Sequence, residues 1–465
     1  GLPRDFVDGG GLCSPGRWPA DRRLLPEDFT SKRLQKAVLD GLLKSERVWK
    51  DKEPGMSLKK MLLKLAVGRV PEMPFDQGVI EEVREELRII CKQAGHGDGL
   101  PQEGDVVQRF EIRLIQSLLS AFQDPDAYFC DWWAKGVWVG SKERKLPRAP
   151  AIFDRKTRWR KIEPWRDFFS DEIHGGWQTN YPSLQEHAEL VQKQFEGEER
   201  EGLMTRMTVR EAMETFGDTL NIASTGAISK KGRTDEVRVI FDGSHGVDLN
   251  PGIRVRDQVR FPIAADGKEL MSEIAHEGGP HFSLHVDFSK AHRRVAVVKE
   301  DWGRQACQVL GTAAKAAREI LNKEAVADRK VFESTGKKAR LTARVRATIG
   351  DLPENVLDET VWLNKCGTFG VASAGYWWGR AGAGVMRYVH YLLGFEHALW
   401  ALLYSDDVWF IGRSSHFESD LLLALYVLMI IKAPLAWHKV KGGIETEWVG
   451  YALDIGRFAI GISEL

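Results

Sequence analysis

The sequence has no excess of charge: its 66 lysines and arginines are matched by 66 aspartates and glutamates. No global field draws it to a polyanion, so any nucleic-acid surface has to come from local clustering. Paired cysteines are missing as well. Cys13, Cys91, Cys130, Cys307 and Cys366 are odd in number and widely spaced, with no CxxC pair. That fits reduced thiols in an intracellular compartment better than a disulfide framework or a zinc knuckle. Long hydrophobic runs are absent too. The most apolar one, Leu421 to Ile431, stops at Lys432 and Pro434, well short of the roughly 20 residues a membrane span needs. It reads as a buried helix, and no membrane is expected as a partner. The opening "GLPRDFVDGG" has neither an initiator Met nor the pattern of a signal peptide.

What is present is an ordinary globular composition, 43% hydrophobic over 465 residues, enough for two or three domains. Residues 1–140 form a mostly helical region without a chemical motif: in "LKKMLLKLAVG" and "VIEEVREELRIICKQAG" apolar residues recur every three or four positions. Residues 141–181 form a basic, Trp-containing linker. Between Ser141 and Asp167, ten Lys/Arg stand against four Asp/Glu, interleaved with Trp159 and Trp165. Such a stretch either tracks a phosphate backbone or is a solvated connection. An Ala-rich basic segment at about 312–350 reads as an inserted helical surface excursion.

The chemistry-bearing segments begin near Pro182. "STGAISKKGRTDEVRVIFDGS" reads as two strands joined by a basic turn. "HFSLHVDFSKAHRRVAV" alternates, with Phe282, Leu284 and Val286 on one face and Ser283, His285 and Asp287 on the other. Asp287 is thus expected at a strand end, away from the core. His281 and His285, four residues apart on a strand, are separated by roughly 13 Å, too far to share a zinc ion. "GVASAGYWWGRAGAGVMRYVHYLLGF" reads as a long helix, and its glycines do not follow a strand as a dinucleotide fingerprint requires. "HALWALLYSDDVWFIGR" reads as strand, two-residue tip, strand, with Asp406 and Asp407 at the tip. A short strand, "TEWVGYALD", follows.

Two aspartates at a turn are ordinary turn chemistry by themselves. The third carboxylate, Asp287, changes the reading. Three carboxylates converging at adjacent strand ends repel unless cations neutralise them, and Mg²⁺ prefers one or two carboxylates plus phosphate oxygens. This is the donor set of a two-metal phosphoryl-transfer site, with ions roughly 4 Å apart.

In this order the segments resemble the fingers and palm of reverse transcriptases from LTR-type retroelements, over about 198–459. "KKGRTDEVRVIFDGS" is similar to the fingers' triphosphate-binding hairpin, "HFSLHVDFSKAH" to the first palm motif, and "GTFGVASAGYWW" to the Phe-Gly motif. "YSDD" is a YxDD tip, "APLAWHKVKGG" resembles the lysine-bearing motif after it, and "EWVGYALD" the primer-gripping hairpin. The resemblance implies an α/β (α+β) fold: fingers at 182–280, then a right-hand palm at 281–465, a ferredoxin-like four-stranded antiparallel sheet backed by helices.

It further implies that Asp287, Asp406 and Asp407 hold two Mg²⁺ (or Mn²⁺) ions, with the Phe288 carbonyl as an extra ligand. Lys231 and Arg238 would clamp the incoming triphosphate, with Asp242 as a structural partner. Phe369 and Gly370 would lie under the nucleotide, and Lys439, or else Lys441, near the leaving pyrophosphate. Tyr404, Trp448, Gly450 and Tyr451 would support the primer. His292 stands where the family has a Tyr or Phe ring against the ribose 2′ position. Expected partners are an RNA or DNA template with its primer and deoxynucleoside triphosphates. No thumb is expected after "EWVGYALD", so the chain reads as a fragment of a longer polyprotein. The rival readings are an RNA-templated RNA polymerase and a catalytically idle nucleic-acid-binding module.

Overall fold

The computed structural model describes residues 28–97, 109–157 (142 excepted), 177–320 (231, 232, 246 and 248 excepted) and 351–463 (398 and 414 excepted). Lys231, Trp159 and Trp165 therefore lie outside the described residues. The described residues open with helices α1 (Phe29–Lys52), α2 (Leu58–Ala66), α3 (Gln77–Gln93), α4 (Ile112–Ala121) and α5 (Phe129–Lys135). The first three begin where a short polar side chain can cap free N–H groups. Asp28 accepts from Ser31 N, Ser57 from Lys60 N, and Asp76 from Gly78 N and Val79 N.

Then come α6 (Ala188–Arg200), β1 (Met204–Thr208), α7 (Val209–Phe216), the hairpin β2 (Thr225–Lys230) and β3 (Arg233–Phe241), and α8 (Ala264–Glu277). The rest of the chain carries β4 (Phe282–Asp287), β5 (Ala306–Cys307), β6 (Thr360–Asn364), α9 (Ala372–Leu393), β7 (Trp400–Tyr404), β8 (Asp407–Gly412), α10 (Phe417–Ile430), β9 (Lys441–Gly443), β10 (Glu445–Trp448), β11 (Tyr451–Asp454) and β12 (Ala459–Ile462). β4, β7, β8 and β9 form an antiparallel sheet in the order β7-β8-β4-β9. With α9 and α10 between them, these elements follow the strand–helix–strand–strand–helix–strand order of a split βαβ unit.

One face of this sheet, through Leu284, Val286, Ala401, Leu403, Val408 and Phe410, packs into a core shared with α1, α9 and α10. α10 is apolar all round because it is covered all round: every residue from Leu421 to Leu428 is at most 1% exposed. Among the described residues, no helix is long and apolar enough to cross a membrane.

The other face departs from expectation. Ser283 and His285 do not point away from the core, because α8 and the β10–β12 sheet cover them with a second cluster containing Leu270, Ile274, Trp409, Trp448 and Leu453. His285 stacks on Trp409 (6.2 Å, interplanar 13°). Burial, helped by the nearby Lys441 charge, holds its imidazole down to about 3.

The described parts of the two basic segments, residues 141–157 (142 excepted) and 312–320, are partly embedded. Leu146, Ala149, Ile152 and Phe153 are buried, and Arg148 donates to Asp257 at 2.8 Å. Residues 313–320 form a helix that buries Ala313 and Ala317, while the remainder of the 312–350 segment lies outside the described residues. The four described cysteines are free and buried. Burial pushes the Cys91 and Cys307 thiols up to about 12, which suits inert core thiols.

Two buried arginines fasten α9 to the segment between α4 and α5. Arg380 reaches Asp126 at 2.5 and 2.8 Å, and Arg387 reaches Asp124 at 2.6 and 3.0 Å. On the same helix, burial holds His390 down to about 4, whereas in the unfolded chain it titrates near 6.5. As pH falls from 6.5 toward 4 the unfolded state takes a proton that the folded state refuses, which costs up to about 3 kcal/mol. His390→Leu should therefore flatten the urea midpoint against pH across that window. An unchanged slope would show that other groups set it.

Candidate active site

The β4–β8 register places Asp287 directly opposite Asp407, so their Cβ atoms are roughly 5 Å apart. Tyr404 pairs with Asp407 across the β7–β8 hairpin, which leaves Ser405 and Asp406 as the two-residue tip. The expectation that both aspartates sit at the tip is thus off by one residue: Asp407 is the first residue of β8. The reason is local. Ser405 takes the positive φ (56°) that a II′-type tip needs at its first position. The tip is pinned from two sides, by Trp378 Nε1 donating to Ser405 O (2.7 Å) and Phe288 N donating to Asp406 O (2.8 Å). Phe288 itself is fully buried, its ring against Trp378 (5.5 Å).

The electrostatics of the three carboxylates are unbalanced. Burial, and then the Asp287 charge, push Asp406 above the usual carboxylate range. Asp407 is pushed up to about 6 by burial and then by Asp406 and Asp287, against the pull of Lys439 and Lys441. One ammonium is in direct contact: Lys439 Nζ lies 3.0 Å from Asp287 Oδ2.

Among the described residues, no group of three His, Cys, Asp or Glu side chains is disposed to hold a metal ion. Mg²⁺ does not require such a cage, since one or two carboxylates suffice when phosphate oxygens and water complete its shell. The opposed Asp287 and Asp407, with Asp406 beside them and a surplus of negative charge, fit a hard divalent cation that arrives with a phosphate ligand.

Around these carboxylates stand several of the other expected residues. His292 lies close enough to Asp406 to feel its charge, although burial dominates and lowers its proton affinity. Its ring meets Phe369 edge to face at 6.3 Å, and Phe369 is 55% exposed. Gly370 has φ 103°, and a Cβ there would fall 1.9 Å from Phe241 O at the end of β3. Only glycine fits that crossing. Asn250 holds the same turn, donating to Gly370 O (2.8 Å) and accepting from Ala372 N (2.8 Å).

On the other side, Tyr404 packs between Phe261 (5.2 Å) and Trp448 (6.4 Å, 87°). The stretch "TEWVGYALD", a short strand by its pattern and a hairpin by the resemblance, is a hairpin. Trp448 pairs with Tyr451, and Val449 and Gly450 both have positive φ, the signature of a I′ turn. Trp448 is buried in the second core and Tyr451 is half-buried.

Not every expected residue is drawn in. Arg238 stands exposed on β3 and makes no ion pair among the described residues. Asp242, expected to partner it, instead accepts from Tyr181 Oη (2.5 Å), Ser244 N (2.9 Å) and His245 N (3.1 Å). A short carboxylate just past a strand caps the following turn rather than reaching back along it.

No family model matches the chain, and no curated protein does. Solved structures that resemble it include foamy viral protease-reverse transcriptases. One, in complex with an RNA/DNA hybrid, is 9% identical with a TM-score of 0.38, over 62% of this chain and 28% of that one. A second, with double-stranded DNA, is 8% identical with a TM-score of 0.38, over 78% and 58%. The native Prototype Foamy Virus enzyme is 10% identical with a TM-score of 0.36, over 68% and 29%. The chain thus spans from 28% to 58% of these longer proteins. Likeness at this level carries no chemistry, which rests on the geometry of the site.

Proposed function

We propose that this chain is a metal-dependent nucleotidyltransferase that extends a primer 3′ end on an RNA or DNA template, an RNA-directed DNA polymerase of retroelement origin. The observation that carries the reading is the cross-strand pair Asp287 and Asp407, with Asp406 at the adjoining tip, at one end of a sheet with split-βαβ order. Structural needs do not explain three mutually repelling carboxylates there. In this reading the four-stranded sheet with α9 and α10 is the palm, and the β2–β3 hairpin belongs to the fingers.

Two Mg²⁺ or Mn²⁺ ions held by Asp287, Asp406 and Asp407 would ease proton loss from the primer hydroxyl and offset the charge of the leaving pyrophosphate. The chain's own residues supply the rest. Lys439, already on Asp287, is placed to exchange that partner for phosphate oxygens. Lys231 and Arg238 take the triphosphate, arginine's fork suiting its oxygens. Gly370 keeps the nucleotide's floor flat beside Phe369, and His292 walls the sugar. The Tyr404–Trp448 contact ties the catalytic hairpin to the primer-supporting β10–β11 turn.

Primer extension on poly(rA)/oligo(dT) with Mg²⁺ or Mn²⁺ tests this directly. Expected is incorporation of dTTP that depends on the metal and exceeds that of UTP by about tenfold or more. Hybrid binding without incorporation would reduce the protein to a binding module, and a preference for UTP would make it an RNA polymerase. His292→Ala should narrow the deoxy-to-ribo preference, and an unaltered ratio would remove His292 from sugar selection.

A further inference from the structure

The residue after His292 makes contacts that a surface arginine has no reason to make. Arg293 has a side chain only 13% exposed, and its guanidinium joins four separate segments. Nη2 donates to Glu198 Oε2 on α6 (2.5 Å) and to Leu203 O before β1 (3.4 Å). Nη1 donates to Asn364 Oδ1 at the end of β6 (2.6 Å) and to Thr368 Oγ1 in the turn before α9 (3.5 Å). Its acceptors are fixed in turn: Asn364 Nδ2 donates to Gln305 O (2.8 Å) and Thr368 Oγ1 to Cys366 O (3.2 Å).

Each end of this bridge is one residue from a group in the candidate site. Arg293 adjoins His292, Thr368 adjoins Phe369, and the two rings meet at 6.3 Å. Backbone closes the same joint: Gly367 N donates to Val295 O (2.9 Å), and a Cβ on Gly367 would fall 2.5 Å from His292 O. The loop after β4 and the turn before α9 therefore cannot move independently while the guanidinium is in place.

We infer that Arg293 is a positioning residue that holds the His292 loop and the Thr368–Gly370 turn in one register, and so shapes the nucleotide's floor and wall together. The assignment of nucleotide to that floor rests on the nucleotidyl-transfer reading. The register itself does not. A planar fork with two faces of donors can serve Glu198 and Asn364 at once, whereas a lysine ammonium on the same stem can keep Glu198 but not span both.

The test compares wild type, Arg293→Met and Arg293→Lys by hydrogen–deuterium exchange and by steady-state incorporation. In Arg293→Met, exchange should rise together in 289–295 and 366–371 while 421–428 in α10 stays protected. KM for the incoming nucleotide should rise about tenfold with kcat changed far less. Arg293→Lys should fold as wild type and show an intermediate KM and a reduced deoxy-to-ribo ratio. Wild-type protection of both segments in a folded variant overturns the inference, as do an unaltered KM and ratio in Arg293→Lys. Should Arg293→Met fail to fold, Arg293→Lys decides by the same two readouts. If the wild type incorporates nothing, the nucleotidyl-transfer reading falls, and the exchange of the two segments still decides whether Arg293 couples them.

Discussion

Asp407→Asn should leave the protein folded and, if the proposed chemistry holds, still able to bind a primer–template hybrid but slower in primer extension by about a thousandfold or more. In the metal-free protein the same substitution should raise stability. Asp407 has a carboxyl pushed up to about 6, chiefly by burial and then by Asp406 and Asp287, so above that pH the fold carries an ionised group in a setting that disfavours it. The penalty is fully present above pH 6 and is relieved as pH falls toward 4. Asparagine should therefore gain about 1–2 kcal/mol at pH 7, after allowance for solvent screening, and much less at pH 4.5. Primer extension and urea unfolding on the same preparations read both effects. Undiminished incorporation would remove the catalytic assignment, and a loss of stability at pH 7 would show that Asp407 has a structural partner.

The second large effect concerns α9. Burial alone would raise the Asp124 carboxyl, but Arg387's charge and hydrogen bonds pull it below the usual range. Asp124→Ala removes that partner and leaves a guanidinium fully enclosed, at a cost of about 3–5 kcal/mol. Replacing both members, Asp124→Leu with Arg387→Met, should recover most of the loss, since neither buried charge remains. Urea denaturation of the two variants gives the answer. A double variant no better than the single one would mean that Tyr391, whose Oη donates to Asp124 at 3.0 Å, carries the joint.

The alternation of Phe282 to Asp287 gave the strand, its two faces and the position of the carboxylate, because side-chain direction on a strand has period two. It could not say that the Ser283 and His285 face would be covered, since α8 and β10–β12 arrive from elsewhere in the chain. Likewise, the hairpin around Tyr404 to Val408 was legible from its two apolar runs. Which pair of residues forms the tip depends on the φ of Ser405 and on Trp378, a residue 27 positions upstream. In "TEWVGYALD" the residue pattern alone hid the turn that the resemblance implied, because Val449 is a β-branched residue at φ 50°, where sequence rules look for Asn or Asp. Arg293, Asn250 and the Asp124–Arg387 pair left no local signal at all. Their partners are 71, 120 and 263 residues away, and only packing brings them together.

The core that wraps α10 runs without a break from Leu34 on α1 to Val440 beside β9. The four-stranded sheet thus cannot be lifted out as a cassette. A shortened version starting at residue 177 would uncover the helix that backs the sheet carrying Asp287 and Asp407, so residues 28–135 act as part of the same cooperative unit.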